Sequence, residues 1–353
     1  MWGQWIGEFR SADKPDATGG LCLNVDQDSH ERGRLAIYPF VEPAKGVWAD
    51  VIFQANADQP RATLFLPAIQ PHNMPGHGEL VFEQRSDTLL SGTFTSQWAG
   101  NAGAGSFALR RSGDIAPTVP DRRFRTWGAF KKWLVTNPGG TLIYRGQSNN
   151  RWRLVTSLHR TGRVDLQRYG VKDVPQLNRY IAGILDRQFD LSQPFENGAL
   201  LNLAQHHGFP TPLLDWTESP YIAAYFAYSE LPKMVNSGKV RIFIFDSGAW
   251  QNDRGGNSEM HLPAPYLSIH QFLPIYNSRA LPQQSVVTST NLLDIEGWLK
   301  TQQPPHRQYL MKVDLPAAER ATVMADLTSM GITAASLFPG LEGTCRALKE
   351  RLF

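Results

Sequence analysis

Cysteine is scarce in this chain of 353 residues: Cys22 and Cys345 are the only two, and they stand far apart. That excludes a disulfide framework and leaves no thiol pair for zinc. No HExxH takes its place, so no metal is expected, and two distant thiols fit a reducing cytosol. There is no apolar run of about eighteen residues, and the first ten, MWGQWIGEFR, lack a signal-peptide hydrophobic stretch. A cytoplasmic protein with no membrane partner is the expectation. No GxSxG, GxxxxGKS/T or GxGxxG falls on a strand-to-helix turn, which sets serine-hydrolase and P-loop chemistry aside. Internal repeats and low-complexity tracts are also absent.

What is present divides in two. At 42% hydrophobic content the chain can bury two cores, and SGDIAPTVPD at 112–121 has linker composition, so one domain is placed at 1–115 and a second at 116–353. Before the break, short alternating runs such as Leu21 to Val25, Val51 to Phe53, Ala62 to Leu66 and Ser106 to Leu109 lie between Gly-rich turns. They predict an antiparallel β-sandwich or small β-barrel, an architecture that suggests a sensing or partner-binding role. Trp2, Trp5, Trp48 and Trp98 would line a barrel mouth or fill its core. The first 115 residues hold 9 basic and 13 acidic side chains, net −4, and the remainder 26 and 19, net +7. The acidic part is a poor nucleic-acid clamp. After the break, helices are predicted over 124–134, 177–189 and 316–330, and strands over 240–245 and 309–313. Strands and helices without strict βαβ alternation indicate α+β.

Two stretches carry the chemistry. In LNLAQHHGFPTPLLDWTESPYIAAYFAYSE, 201–230, the polar residues Gln205, His206, His207, Thr211, Asp215, Trp216, Thr217 and Glu218 crowd between apolar runs, as in a pocket wall. The glycine and proline of GFP, 208–210, break the preceding helix. Leu213-Leu214 predicts a short buried strand that Asp215 to Thr217 would end. Thr217 or Ser219 caps a helix with Pro220 in its first turn. A strand, a polar tip and a helix N-terminus aim donors at one point, which suits an anionic or nucleotide ligand; a capped helix with satisfied polar groups has the same pattern. Upstream, 122–163 holds ten Lys or Arg and no acid. Leu142 to Tyr144 predicts a strand, Arg145-Gly146 its end, and Gln147 to Asn150 a turn. There Arg145 can fork two donors onto a phosphate, with Gly146 allowing close approach; the alternative is a solvated surface charge.

Tyr144-Arg145-Gly146-Gln147, then Trp152, Ser157 and Arg160, then Gln205-His206-His207-Gly208, Thr211 and Asp215-Trp216-Thr217 resemble the FRG domain. The family is named for Phe-Arg-Gly, and Tyr144 stands in place of its Phe. The tail Leu337-Phe338-Pro339-Gly340-Leu341-Glu342-Gly343 is similar to the end of that domain, which extends the likeness over about 122–353. The resemblance implies a bacterial protein of toxin or phage-defence settings.

A second likeness is to ADP-ribosyltransferases of the arginine-serine-glutamate class, with an Arg at a strand end and Ser-Thr-Ser ahead of a helix. It implies NAD as the substrate: Arg145 on a phosphate, the 215–217 tip at the nicotinamide ribose, and Tyr144, Gly146, Gln147, Thr211 and Trp216 around the cofactor. Asp215 and Trp216 stand where that class has Ser and Thr. Its third element, a Glu that stabilises the cationic transition state, has no counterpart; the stretch 279–287 offers Gln283 or Gln284, which orient a hydroxyl without taking a proton. Asp215 or Glu218 would then serve as the carboxylate, although Glu218 also fits a first-turn helix residue. Adjacent histidines in a strand or loop point opposite ways, and the family pattern favours His206 as ligand-contacting or proton-shuttling. A structural histidine is the alternative.

The functional expectation is therefore an effector that binds NAD or a related nucleotide and transfers ADP-ribose to a macromolecular acceptor, or hydrolyses the cofactor. The rival is a non-enzymatic module that binds protein or nucleic acid, with Arg151, Trp152 and Arg153 stacking on and neutralising a strand.

Overall fold

The computed structural model describes residues 2–13, 18–29, 31–54, 60–66, 75–98, 100–116, 118–137, 140–255, 262–272 and 274–353. Eight strands come first: β1 (Gly3–Ser11), β2 (Thr18–Val25), β3 (Arg32–Tyr38), β4 (Val47–Gln54), β5 (Arg61–Leu66), β6 (Gly76–Arg85), β7 (Leu89–Trp98) and β8 (Asn101–Arg111). Each pairs antiparallel with the next, and β8 returns to β1, with Trp5 opposite Arg111, to close a barrel. Closure leaves no free edge. Alternation puts Leu21, Leu23 and Val25 in the barrel core, while Cys22 faces outward and packs with Ala36, Tyr38 and Ala264 of the second half. Of the four tryptophans, Trp5 is core and Trp98 packs against it. Trp48 lies outside with the Cys22 cluster, and Trp2 is exposed.

The second half begins with α1 (Trp127–Thr136) and β9 (Leu142–Gln147), followed by α2 (Ser157–Arg160), α3 (Leu166–Arg168), α4 (Val174–Leu185) and α5 (Pro194–His206). Then come β10 (Leu213–Thr217), α6 (Pro220–Tyr228), β11 (Lys239–Asp246), α7 (Ser247–Arg254), β12 (Leu267–His270) and β13 (Ser285–Thr290). The chain ends with α8 (Ile295–Gln302), β14 (Leu310–Pro316), α9 (Arg320–Ser329), α10 (Ala334–Leu337) and α11 (Leu341–Leu352). The strands form one antiparallel sheet in the order β12-β13-β10-β9-β11-β14. One face packs Tyr144, Ile242 and Ile244 against α6, and the other packs Ile143, Trp216, Phe243 and Phe245 against Trp250. The architecture is an eight-stranded antiparallel barrel followed by a mixed α+β region. No helix among the described residues is long and apolar enough to cross a membrane.

Several expected boundaries move. The first helix starts at Trp127 because Thr126 caps it, its side chain accepting from Ala129 N. The helix expected at 177–189 spans Val174–Leu185 and ends where Asp186 turns left-handed at φ 50°. Pro316 closes β14, and the late helix begins at Arg320. Most consequential, Arg145 and Gly146 do not end their strand: β9 runs on through Gln147, paired with β11 as far as Arg241 opposite Gln147. Pairing of Gly146 with Ile242, 96 residues away, overrides the local turn signal.

Candidate functional site

The site grows from a defect in the sheet. Strands β9 and β10 pair at one step only, Thr217 opposite Tyr144, and then separate. Arg145 Nη1 donates to the Asp215 backbone oxygen at 2.6 Å, the bond a continued ladder would have supplied. Asp215 therefore sits inside β10, flanked on the other side by Val287 of β13, instead of ending the strand. The wedge between the two strands opens into a cleft of about 400 Å³, within the ordinary range for small-ligand sites.

Most of the predicted residues converge there. Tyr144, Arg145, Gly146, Gln147, His206, Asp215, Trp216, Thr217 and Gln283 all line the cleft. Their side chains do different things. The Asp215 side chain is exposed on the cleft floor, and Gln205 Nε2 donates to its Oδ1 at 2.5 Å. Thr211 Oγ in turn donates to Gln205 Oε1, so Thr211 is a buried residue that orients the carboxylate through glutamine and does not touch the cleft itself. Ser157 fixes Thr211 in both directions, donating to its carbonyl and accepting from its amide at 2.9 Å.

Arg145 is half-buried. Burial lowers its guanidinium below the usual range, Asp215 opposes that shift and Arg160 adds to it. Among the described residues its Nε is enclosed without a hydrogen-bond partner, and so is Gln147 Oε1. Arg160, exposed at the end of α2, has no guanidinium partner among the described residues and is the freer cation. Arg279, also in the cleft, pairs with Glu342 and lies over the Phe338 ring at 5.2 Å.

The structure changes the part that several of these residues play. Trp216 is core: it packs beside Phe245 and donates from Nε1 to Thr288 Oγ at 3.0 Å, because alternation along β10 turns it to the face opposite Asp215. Gly146 lines the cleft and also lets α6 approach β9 closely, since a Cβ there would stand 1.8 Å from Ala223 O. Gln284 is exposed, left-handed at φ 47°, and absent from the cleft wall; its backbone accepts from Glu218 N and donates to Leu281 O. Glu218 precedes the Ser219 cap and so lies outside the helix, where it accepts from Gln271.

The remaining placements are informative in smaller ways. Ser219, and not Thr217, caps α6; Thr217 Oγ accepts from Ser219 N and is 4% exposed. Tyr144 is buried, and burial pushes its phenol up to about 12. Gln283 Nε2 donates to Leu337 O, which ties the tail to the cleft. The two histidines end a helix, rings edge to face at 5.4 Å, and only His206 lines the cleft; burial, then Arg279, lowers its imidazole below the ordinary range. Gln205 was expected in the pocket wall but given no role, and Asn202, Arg279 and Phe338 were not singled out as site residues. Their signal was proximity, Gln205 beside His206 and Arg279 beside Gln283.

No curated protein matches the chain. Residues 140–234 match the FRG domain, a shorter span than the 122–353 expected, although the tail around Phe338 lies against the same cleft. That match contains β9, α5, β10 and α6, the elements that build the wedge, so the chain carries an FRG domain in its C-terminal part.

Proposed function

We propose that the cleft between β9 and β10 binds a phosphate-bearing nucleotide, NAD being the candidate, and cleaves its nicotinamide–ribose bond. The observation that carries this is the placement of the Asp215 carboxylate, exposed on the cleft floor and aimed by Gln205, within a wall that also presents Arg145 and Arg160. In this reading Arg160 takes a phosphate, with Arg145 lending charge while one of its nitrogens stays on the Asp215 carbonyl. The exposed face of Trp152 stacks on a base. As the C1′–N bond breaks, nicotinamide leaves with the electron pair. Asp215 stabilises the cation at C1′ in the place expected of a glutamate. Water or an acceptor nucleophile then bonds to C1′ and loses its proton. Gln283, its amide nitrogen held by Leu337, has Oε1 left to orient a ribose hydroxyl. His206 is kept neutral by its surroundings near pH 7 and is suited to accept a hydrogen bond or a proton.

The non-enzymatic rival rests on Arg151, Trp152 and Arg153. Arg153 is held by the buried Asp294 at 2.5 Å, which reduces the free charge of that face. The deciding experiment incubates the purified chain with NAD, alone and with bacterial extract, and follows nicotinamide release by chromatography. Asp215→Asn keeps the bond from Gln205 and removes the charge; release is expected to fall at least 100-fold, while NAD affinity changes only a few-fold. Arg160→Gln is expected to weaken NAD binding more than it slows turnover. Absence of both NAD binding and nicotinamide release in the wild type would overturn the proposal. Nucleic-acid binding that falls steeply with salt would then favour the rival.

A further inference from the structure

The barrel holds a second cavity, independent of the cleft. Its core fills one end, where Trp5, Val25, Phe82 and Phe107 pack, Phe82 edge-on to Phe107 with centroids 5.6 Å apart. Toward the other end, near the turn between β7 and β8, the wall opens into a space of about 170 Å³. Leucines 21, 35, 64 and 66 line it together with Phe9 and Phe94, whose rings meet edge to face at 5.8 Å. Among the described residues no charged side chain is on this wall; its polar members are Ser96 and the indole of Trp98.

The indole is the informative group. Trp98 is half-buried, but its Nε1 is enclosed and has no hydrogen-bond partner among the described residues. An unpaired buried donor costs about 1–3 kcal/mol, and a tryptophan whose ring body is buried normally finds an acceptor. Gly76 makes room for this ring, since a Cβ there would come 2.8 Å from Trp98 Cδ1. An eight-stranded barrel is wide enough for one small ligand, and a dry cavity of about 150 Å³ lined by aliphatic and aromatic side chains accepts a benzene-sized molecule.

We infer that the barrel binds one small, uncharged, mainly hydrocarbon molecule of single-ring size that carries a carbonyl acceptor, seated among the leucines with its oxygen on Trp98 Nε1. With no cation among the described residues of the wall, an uncharged ligand fits it better than a carboxylate or phosphate, so this ligand is chemically unlike the one proposed for the cleft. The test uses the full chain labelled with ¹⁵N at tryptophan and two isosteric probes, acetophenone and α-methylstyrene, which differ in the acceptor alone. Acetophenone is expected to bind about fivefold more tightly, the worth of one neutral hydrogen bond. It should move a single indole resonance downfield, the one missing from Trp98→Phe. In Trp98→Phe, which keeps the apolar seat, the two probes should bind equally. Val47→Phe, which fills the cavity, should lose both. Equal binding of the probes by the wild type, or no shift of any indole resonance with acetophenone, would overturn the inference.

Discussion

Single side chains in this protein are decided by what they can and cannot share with water. His159 and His270 are buried, and burial pulls both imidazoles down to about 4. In the unfolded chain they titrate near 6.5, so between about pH 6.5 and 4 the unfolded state binds protons that the folded state refuses. Their contribution is intact above pH 6.5 and is lost as pH falls toward 4. Urea unfolding across that window is expected to show stability dropping by a few kcal/mol, and His159→Gln should flatten part of the slope. The same logic makes Cys22 inert: burial raises its thiol to about 12, so alkylation of the folded protein should label Cys345, which is exposed, and leave Cys22 unmodified.

At the scale of elements, the site depends on how closely α6 lies on β9. Gly146→Ala would drive a methyl carbon into the Ala223 carbonyl, and is expected to cost about 3 kcal/mol or more in chemical unfolding while leaving every other cleft residue unsubstituted. Removing the helix cap is milder. Ser219→Ala gives up the bond to Ile222 N and should cost about 1 kcal/mol. The cap and Pro220 were legible in the sequence because they act over three or four residues. The role of Gly146 was not: a glycine after an arginine looks like a turn, and only the helix packed above it shows that the missing Cβ makes room for backbone. Asp215 was misplaced for a related reason. Its pairing with Val287 lies 72 residues downstream, beyond any local pattern.

For the whole molecule the barrel and the α+β half meet at Asp26, which is 2% exposed. Its carboxylate accepts from Val164 N at 2.6 Å and Asp165 N at 2.9 Å, and from Arg163 and Arg168 at 3.0 Å each. Gln4 adds a second junction, donating to Asn291 O and accepting from Leu293 N. Removing one partner of a buried charge cluster costs about 3–5 kcal/mol, so Asp26→Ala should be strongly destabilising. It is also expected to separate the halves: tryptophan fluorescence and far-ultraviolet dichroism, coincident in the wild type, should report two distinct denaturation midpoints. A single coincident transition in the variant would show that the other contacts are enough to couple them.

The sequence by itself determined what short-range physics controls. Period-two alternation between glycine turns specifies antiparallel strands before 112, capping residues specify helix starts, and the order of the Arg145, Gln205 and Asp215 motifs specifies an FRG domain. It left open whether the strands made a sandwich or a barrel, because the closing pair, Trp5 with Arg111, joins residues about a hundred apart. It also treated every polar residue of 205–217 as a candidate for the same pocket. Tertiary structure divided them: Trp216 to the core, Thr211 and Gln205 to the support of a carboxylate, Asp215 to the cleft. Strand pleat and the splitting of β9 from β10 made that division, and both depend on partners that only the folded chain brings together.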